Sequence, residues 1–168
     1  MECRRVVNHG GSLRIYGCHQ NDTRQTTSAV TTILEQEASR GLQDLGVYEA
    51  FQEKANAIKN NLLEFLITQK KLGKTIAAYG AAAKGNTLLN YAGVKSDLLT
   101  FVCDAAVAKQ NKFMPGSHIP INKPSMLFDE PIDYVIVLPW NIVDEVVEQN
   151  RKLKESGTIF ITAIPELR

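Results

Sequence analysis

Gly80, Lys84, Gly85, Asn86 and Thr87, in the stretch AAYGAAAKGNTLLNY, are the residues whose types and spacing come nearest to a known chemistry. A strand running through a glycine-punctuated turn into a helix is the usual cradle for phosphate, because first-turn amides have no partner inside the helix. A dinucleotide fingerprint needs glycine at the first, third and sixth places of the turn. Here those places hold Gly80, Ala82 and Gly85, so the glycine that lets the backbone touch a pyrophosphate is missing. A P-loop would be met by Gly80, Gly85 and Thr87, but Asn86 stands where a lysine must reach the β and γ phosphates, and Lys84 projects from another point of the turn. Triphosphate hydrolysis is therefore disfavoured, whereas the amides of Asn86 and Thr87 are expected to remain competent to hold an anion. The same glycines would equally serve to permit a sharp turn, and the three alanines Ala81, Ala82 and Ala83 to let helix and sheet approach.

Asp104 and the LPWN segment that contains Trp140 and Asn141 both follow apolar runs, placing them at the carboxyl ends of expected strands, where open α/β sheets bind ligands. Asp104 occupies the position of a ribose-binding carboxylate. Trp140 could stack a base or sugar, and Asn141 could read a hydroxyl or cap the next helix. The loop KQNKFMPGSHIPI brings Lys109, Lys112 and His118 near the same edge, as functional groups or as a plain surface excursion. His9, in NHGGS, could act as a base or as a turn hydrogen-bond donor. Cys18 and His19 are adjacent and Cys3 and His9 lie not far off, but no pair has zinc-ligand spacing, so no metal is expected. No nucleophile elbow, H-E-x-x-H or paired-carboxylate pattern completes a catalytic machine.

The elements that must position these residues read as α/β. Residues 1–20 alternate in two halves around HGG, with Val6, Leu13 and Ile15 as apolar members, giving a strand-turn-strand segment. Residues 21–73 are a helical segment expected to pack on the sheet: a short amphipathic helix from Ser28 to near Gly41, then a longer one with a stripe of Tyr48, Phe51, Ala55, Ile58, Leu62 and Phe65 that stops at Gly73. The stripe would cover a sheet of the same domain or, less simply, form a seam between chains. From residue 74 to 168 apolar strand runs (TIAAYG, LLTFVCD, IDYVIVLP, TIFITAI) alternate with helices (NTLLNYAG, PSMLFDE, NIVDEVVEQNRKLKES), with AAVAKQNKFMPGSHIPIN irregular. Continuous apolar strands separated by helices indicate a mostly parallel sheet covered on both faces, a Rossmann-like doubly wound core, and the whole of 1–168 is expected to be one domain.

Composition narrows the function classes. The chain has 168 residues, 44% of them hydrophobic, and a net charge of +1 from 19 basic and 18 acidic side chains. That is ordinary globular material, with no basic block interleaved with aromatics to suit nucleic acid. No run of about 18 apolar residues occurs, so no membrane span is expected. The N-terminus lacks a signal-peptide core, and three unpaired cysteines suit a reducing, cytoplasmic location.

Taken together, HGGSLRIY, YGAAAKGNTLLNYAGV, FVCDAAVAKQNKFMPGSHIPI, DYVIVLPWN and IFITAIPE resemble, in order and spacing, the C-terminal domain of S-adenosylmethionine-dependent C-methyltransferases that act on nucleotide-linked sugars. The resemblance covers nearly the whole chain. It implies a Rossmann-like domain that helps hold the nucleotide-sugar beside a methyltransferase domain of the same parent chain. Gly80, Lys84, Gly85, Asn86 and Thr87 match the family's own turn, so the departure from both nucleotide motifs need not be decay. S-adenosylmethionine would be bound by a domain not present here, because its acidic residue and glycine-rich loop are not found, nor is the family's cysteine cluster or its Tyr/Glu/His segment. The chain is thus expected to be the C-terminal piece of a longer enzyme, inactive alone and binding no cofactor itself. On this reading Lys84 and the helix-start amides hold phosphate, Asp104 and Asn141 read hydroxyls, Trp140 supplies an apolar wall, and His9 is the candidate base. Two other readings stay open: a docking module that forms a homodimer through the Tyr48 to Phe65 stripe, and a dinucleotide oxidoreductase fragment, which Ala82 disfavours.

Overall fold

The computed structural model describes residues 1–6 and 12–168. The chain divides into two compact units, Met1–Lys54 and Ala55–Arg168. This boundary falls inside the long helix, most of whose residues belong to the second unit.

In the first unit β1 (Glu2–Val6) and β2 (Ser12–Tyr16) pair antiparallel, in register from Glu2 opposite Tyr16 to Val6 opposite Ser12. This is the strand-turn-strand expected; Gly10, Gly11 and His9 lie outside the described residues. Helix α1 (Ser28–Ser39) follows, joined to β1 by the Arg5 guanidinium donating to Gln36 Oε1. The short α2 (Leu45–Glu49) starts where the Asp44 carboxylate accepts the Gly46 N–H at 3.3 Å, an ordinary N-cap. Tyr48, expected to begin a single long stripe, belongs to this separate turn of helix.

Helix α3 (Phe51–Lys71) carries the stripe onward into the second unit. Leu62 and Leu66 are fully buried there, with Ile58 and Phe65 packed against the same cluster. Lys70 and Lys71 in the last turn complement the helix dipole, and Gly73, at φ +73°, ends the run.

The sheet is built from β3 (Ile76–Tyr79), β4 (Val102–Cys103), β5 (Lys112–Phe113), β6 (Pro120–Asn122), β7 (Tyr134–Val137) and β8 (Ile159–Ile161), in the order β5-β6-β4-β3-β7-β8. All neighbours are parallel except β5, which runs antiparallel to β6. All four β3 residues are buried, and they alternate between faces as strand geometry requires. Ile76 and Ala78 join α3 and the Leu88 and Leu89 side chains of α4 (Ala83–Tyr91); Ala77 and Tyr79 join Val146 of α5 (Val143–Gln149) and Leu153 of α6 (Arg151–Glu155). The result is the Rossmann-like doubly wound α/β core that the apolar runs imply.

Three details differ from expectation. The stretch 105–122, expected to be irregular, contributes β5 and β6; with two and three residues they are too short to show periodicity. The helix expected over 141–156 is three pieces, a 3-10 turn Trp140–Ile142 and then α5 and α6, broken at Asn150, whose buried side chain donates to the Val146 carbonyl at 2.8 Å. Helix α4 begins at Ala83, three residues before the expected start.

Candidate functional site at the carboxyl edge of the sheet

From β3 the sheet grows one way through β4 and β6 and the other way through β7 and β8, so its direction reverses between β3 and β7. Folds of this class bind ligands at the carboxyl ends of the strands beside such a reversal. The sequence places Gly80 and α4 after β3, and Leu138, Pro139, Trp140 and Asn141 after β7.

Both glycines of the turn are explained by what lies across this reversal. A Cβ on Gly80, which sits at φ +92°, would meet Pro139 Cδ at 2.4 Å. A Cβ on Gly85 would meet Leu138 Cβ at 2.5 Å. Neither distance is tolerable for real carbon atoms, so glycine is required for the turn and first helical residues to lie against the end of β7. These are the contacts that the first and last glycines of a dinucleotide turn make, whereas the middle place, where the backbone would approach pyrophosphate, is Ala82.

The start of α4 also shifts the available amides. Asn86 N–H already donates to the Ala82 carbonyl at 2.9 Å, and the Thr87 hydroxyl donates to the Ala83 carbonyl at 3.1 Å. The amides of Asn86 and Thr87 therefore lie within the helix ladder, and the amides that precede it are those of Ala83, Lys84 and Gly85. Ala82 at the N-cap has no side chain able to satisfy them.

Asp104, at the end of β4, is buried and engaged on both oxygens. Oδ2 accepts the Ala81 N–H at 2.7 Å and the Lys109 ammonium at 3.0 Å, while Oδ1 accepts the Ala106 N–H at 2.8 Å. Lys109 also donates to the Ala81 carbonyl at 2.9 Å. Asp104 thus ties the glycine turn to the neighbouring loop, and any ligand hydroxyl would have to share an already occupied carboxylate.

Lys84, Trp140 and Asn141 come together on the other flank. The Lys84 ammonium lies 2.5 Å from Asn141 Oδ1 and 4.8 Å from the centre of the half-buried Trp140 ring. Asn141 caps neither following helix; its side-chain oxygen accepts from Lys84 instead. This cation over an indole, at a helix start without a side-chain cap, forms a positively polarised rim.

On the opposite side of α4 a cleft of about 470 Å³ opens between Ala81–Ala83 and the β5–β6 hairpin, lined also by Asn86, Lys112 and Phe113. The side-chain oxygen of Asn86 is shielded from solvent and has no hydrogen-bond partner. Sequence reasoning named Lys112 but passed over Phe113, whose only signal was a phenyl side chain directly after a lysine in that loop. His118 stands on the same hairpin at φ +57°, its ring 6.5 Å from that of Phe113. Among the described residues no three His, Cys, Asp or Glu side chains are grouped to hold a metal ion, and no helix is long and apolar enough to cross a membrane.

The fold is a Rossmann-like unit with a lysine and an uncapped helix start at its carboxyl edge, and the sequence shows the family it comes from. Residues 7–165 match the model of the C-methyltransferase C-terminal domain, and the chain belongs to that family. A relative, the C-methyltransferase NovU of Streptomyces niveus, is 32% identical over 160 residues. The match takes in 95% of this chain but only 38% of that relative's length. Among solved structures, UDP-D-quinovosamine 4-dehydrogenase from Vibrio fischeri is similar over 55% of this chain and 79% of its own, at 22% identity and a TM-score of 0.41, too loosely to bear on function.

Proposed function

We propose that this chain is the substrate-binding domain of an S-adenosylmethionine-dependent C-methyltransferase that acts on a nucleotide-linked sugar. Family membership supports the methyl-transfer context. The observation that carries the binding role is the start of α4, which has no side-chain cap and carries the Lys84 ammonium over Trp140. Unsatisfied amides at a helix start favour phosphate, and a diphosphate is the anionic part of a nucleotide-sugar. The methyl donor would be held by another part of a longer chain, and His9 is the candidate base for removing a proton from the sugar. Partners follow from this reading: the nucleotide-sugar and the methyltransferase domain of the same parent chain.

Calorimetry of the 168-residue chain with dTDP-glucose tests the binding role. Saturable heat and a rise in melting temperature are expected; neither at millimolar ligand would defeat it. A docking module is the second reading, favoured by Tyr48 and Phe51, which are 55% and 68% exposed. Under that reading sedimentation would find a dimer that resists dilution and ignores nucleotides.

A further inference from the structure

Gly85 and Gly80 pack against Leu138 and Pro139 where the sheet reverses between β3 and β7. The open concavity at this edge lies on the other side of α4, between the three alanines and the β5–β6 hairpin. Resting on the reading above, we propose that this cleft seats the nucleobase of the nucleotide-sugar, with Phe113 covering the ring and Lys112 meeting the phosphate that follows it.

The walls fit a flat, partly apolar ring system. Alanine side chains leave room for a planar group to approach the turn, and Phe113 keeps 62% of its surface exposed at the cleft mouth. An exposed phenyl ring on a short hairpin contributes little to the core, but it offers a stacking face that any base can use. At about 470 Å³ the space lies in the range of small-molecule sites and suits a nucleoside-sized group rather than a whole nucleotide-sugar. The sugar would then project out of the cleft.

The polar groups are those a base and its phosphate need. Asn86 also lines this wall, although its unpaired side-chain oxygen is itself shielded from solvent. The two lysines differ. Lys109 is paired with Asp104, whereas the Lys112 ammonium donates to the neutral Ala108 carbonyl at 2.7 Å and, among the described residues, bridges no carboxylate. The charge left over at the cleft is positive, as an anionic ligand requires.

The test uses the 168-residue chain and its Phe113→Ala, Lys112→Met and Trp140→Ala variants, titrated with inorganic pyrophosphate and with the diphosphates of thymidine, uridine and adenosine. At least one nucleoside diphosphate should bind more tightly than pyrophosphate. Phe113→Ala should weaken that nucleotide by about tenfold, the size of one lost base–aromatic stack, and leave pyrophosphate unchanged. Lys112→Met should weaken both. If the unaltered chain binds no nucleoside diphosphate, this assignment and the reading beneath it fail together. If it binds one but Phe113→Ala has no effect, or weakens pyrophosphate equally, the assignment alone fails. A loss confined to Trp140→Ala would also overturn it and move the base to the flank of Lys84.

Discussion

Gly85 lies so close to Leu138 that a Cβ added to it would stand 2.5 Å from the leucine Cβ. Alanine in a helix normally gains about 1 kcal/mol over glycine. Here overpacking against a side-chain atom rooted next to the backbone should outweigh that gain, and Gly85→Ala should destabilise the fold by about 2 kcal/mol in urea denaturation. Gly80→Ala should cost more, since it adds a left-handed φ to a 2.4 Å approach to Pro139. A neutral or stabilising Gly85→Ala would mean that the turn does not rest on β7.

Asp104→Asn removes the acceptor for the Ala81 amide or the Lys109 ammonium and leaves a cation without its partner. A loss of about 2 kcal/mol is expected, read by the same denaturation, because a buried carboxylate with three donors is replaced by a group that brings donors of its own. A change below about 0.5 kcal/mol, the level of an ordinary surface substitution, would show that the clamp on the glycine turn is incidental.

Lys84→Met should weaken binding of a nucleoside-diphosphate sugar by about tenfold and lower the dependence of affinity on salt, since one charge-assisted contact is lost. The protein's one tryptophan, Trp140, should report the same change as an altered fluorescence, because the ammonium over its ring is gone. Unchanged affinity would detach Lys84 from the ligand.

How far these contacts were legible in the sequence differs from one residue to the next. The sheet was legible because β3 and β7 are buried on both faces and so appear as continuous apolar runs. The placing of Asp104 and Trp140 at the carboxyl edge followed from that. The hairpin of β5 and β6 was not legible, since β5 has no buried residue and β6 only one, which leaves no period to read. Nor was the reason for the two glycines: Pro139 and Leu138 are more than fifty positions away in the chain, and only the adjacency of β3 and β7 brings them together. Asn141 looked like a helix cap because local preference says so, and a lysine on another element claimed its oxygen instead.

Cys103 is fully buried in β4, its thiol donating to the Lys123 carbonyl, and burial pushes its pKa up to about 12. The folded state therefore favours the thiol and the unfolded state releases its proton earlier, so the stability contributed is complete below the ordinary thiol pKa and falls as pH rises toward 12. Alkylation at neutral pH should label the exposed Cys18 and spare Cys103. Cys103→Ser should flatten the alkaline decline in melting temperature; an unaltered decline would point to other groups.

Lys74 and Asp133 behave in the opposite sense. The Lys74 ammonium at 2.8 Å and the Thr75 amide hold the Asp133 carboxyl below its usual range. Their contribution is present above the ordinary aspartate pKa and lost as pH falls through the depressed one. Asp133→Asn should lower the melting temperature slightly at neutral pH and leave it alone in strong acid, an effect limited by solvent screening.

The most direct measurement of the binding claim is an NMR titration of the isotopically labelled 168-residue chain with dTDP-glucose. Amide shifts concentrated at Ala81–Asn86 and Lys109–Phe113, saturating together, are the expected result. Absent shifts, or shifts gathered instead at the separate cleft lined by Leu127, Asp129, Lys152 and Thr158, would contradict a nucleotide-binding edge beside α4.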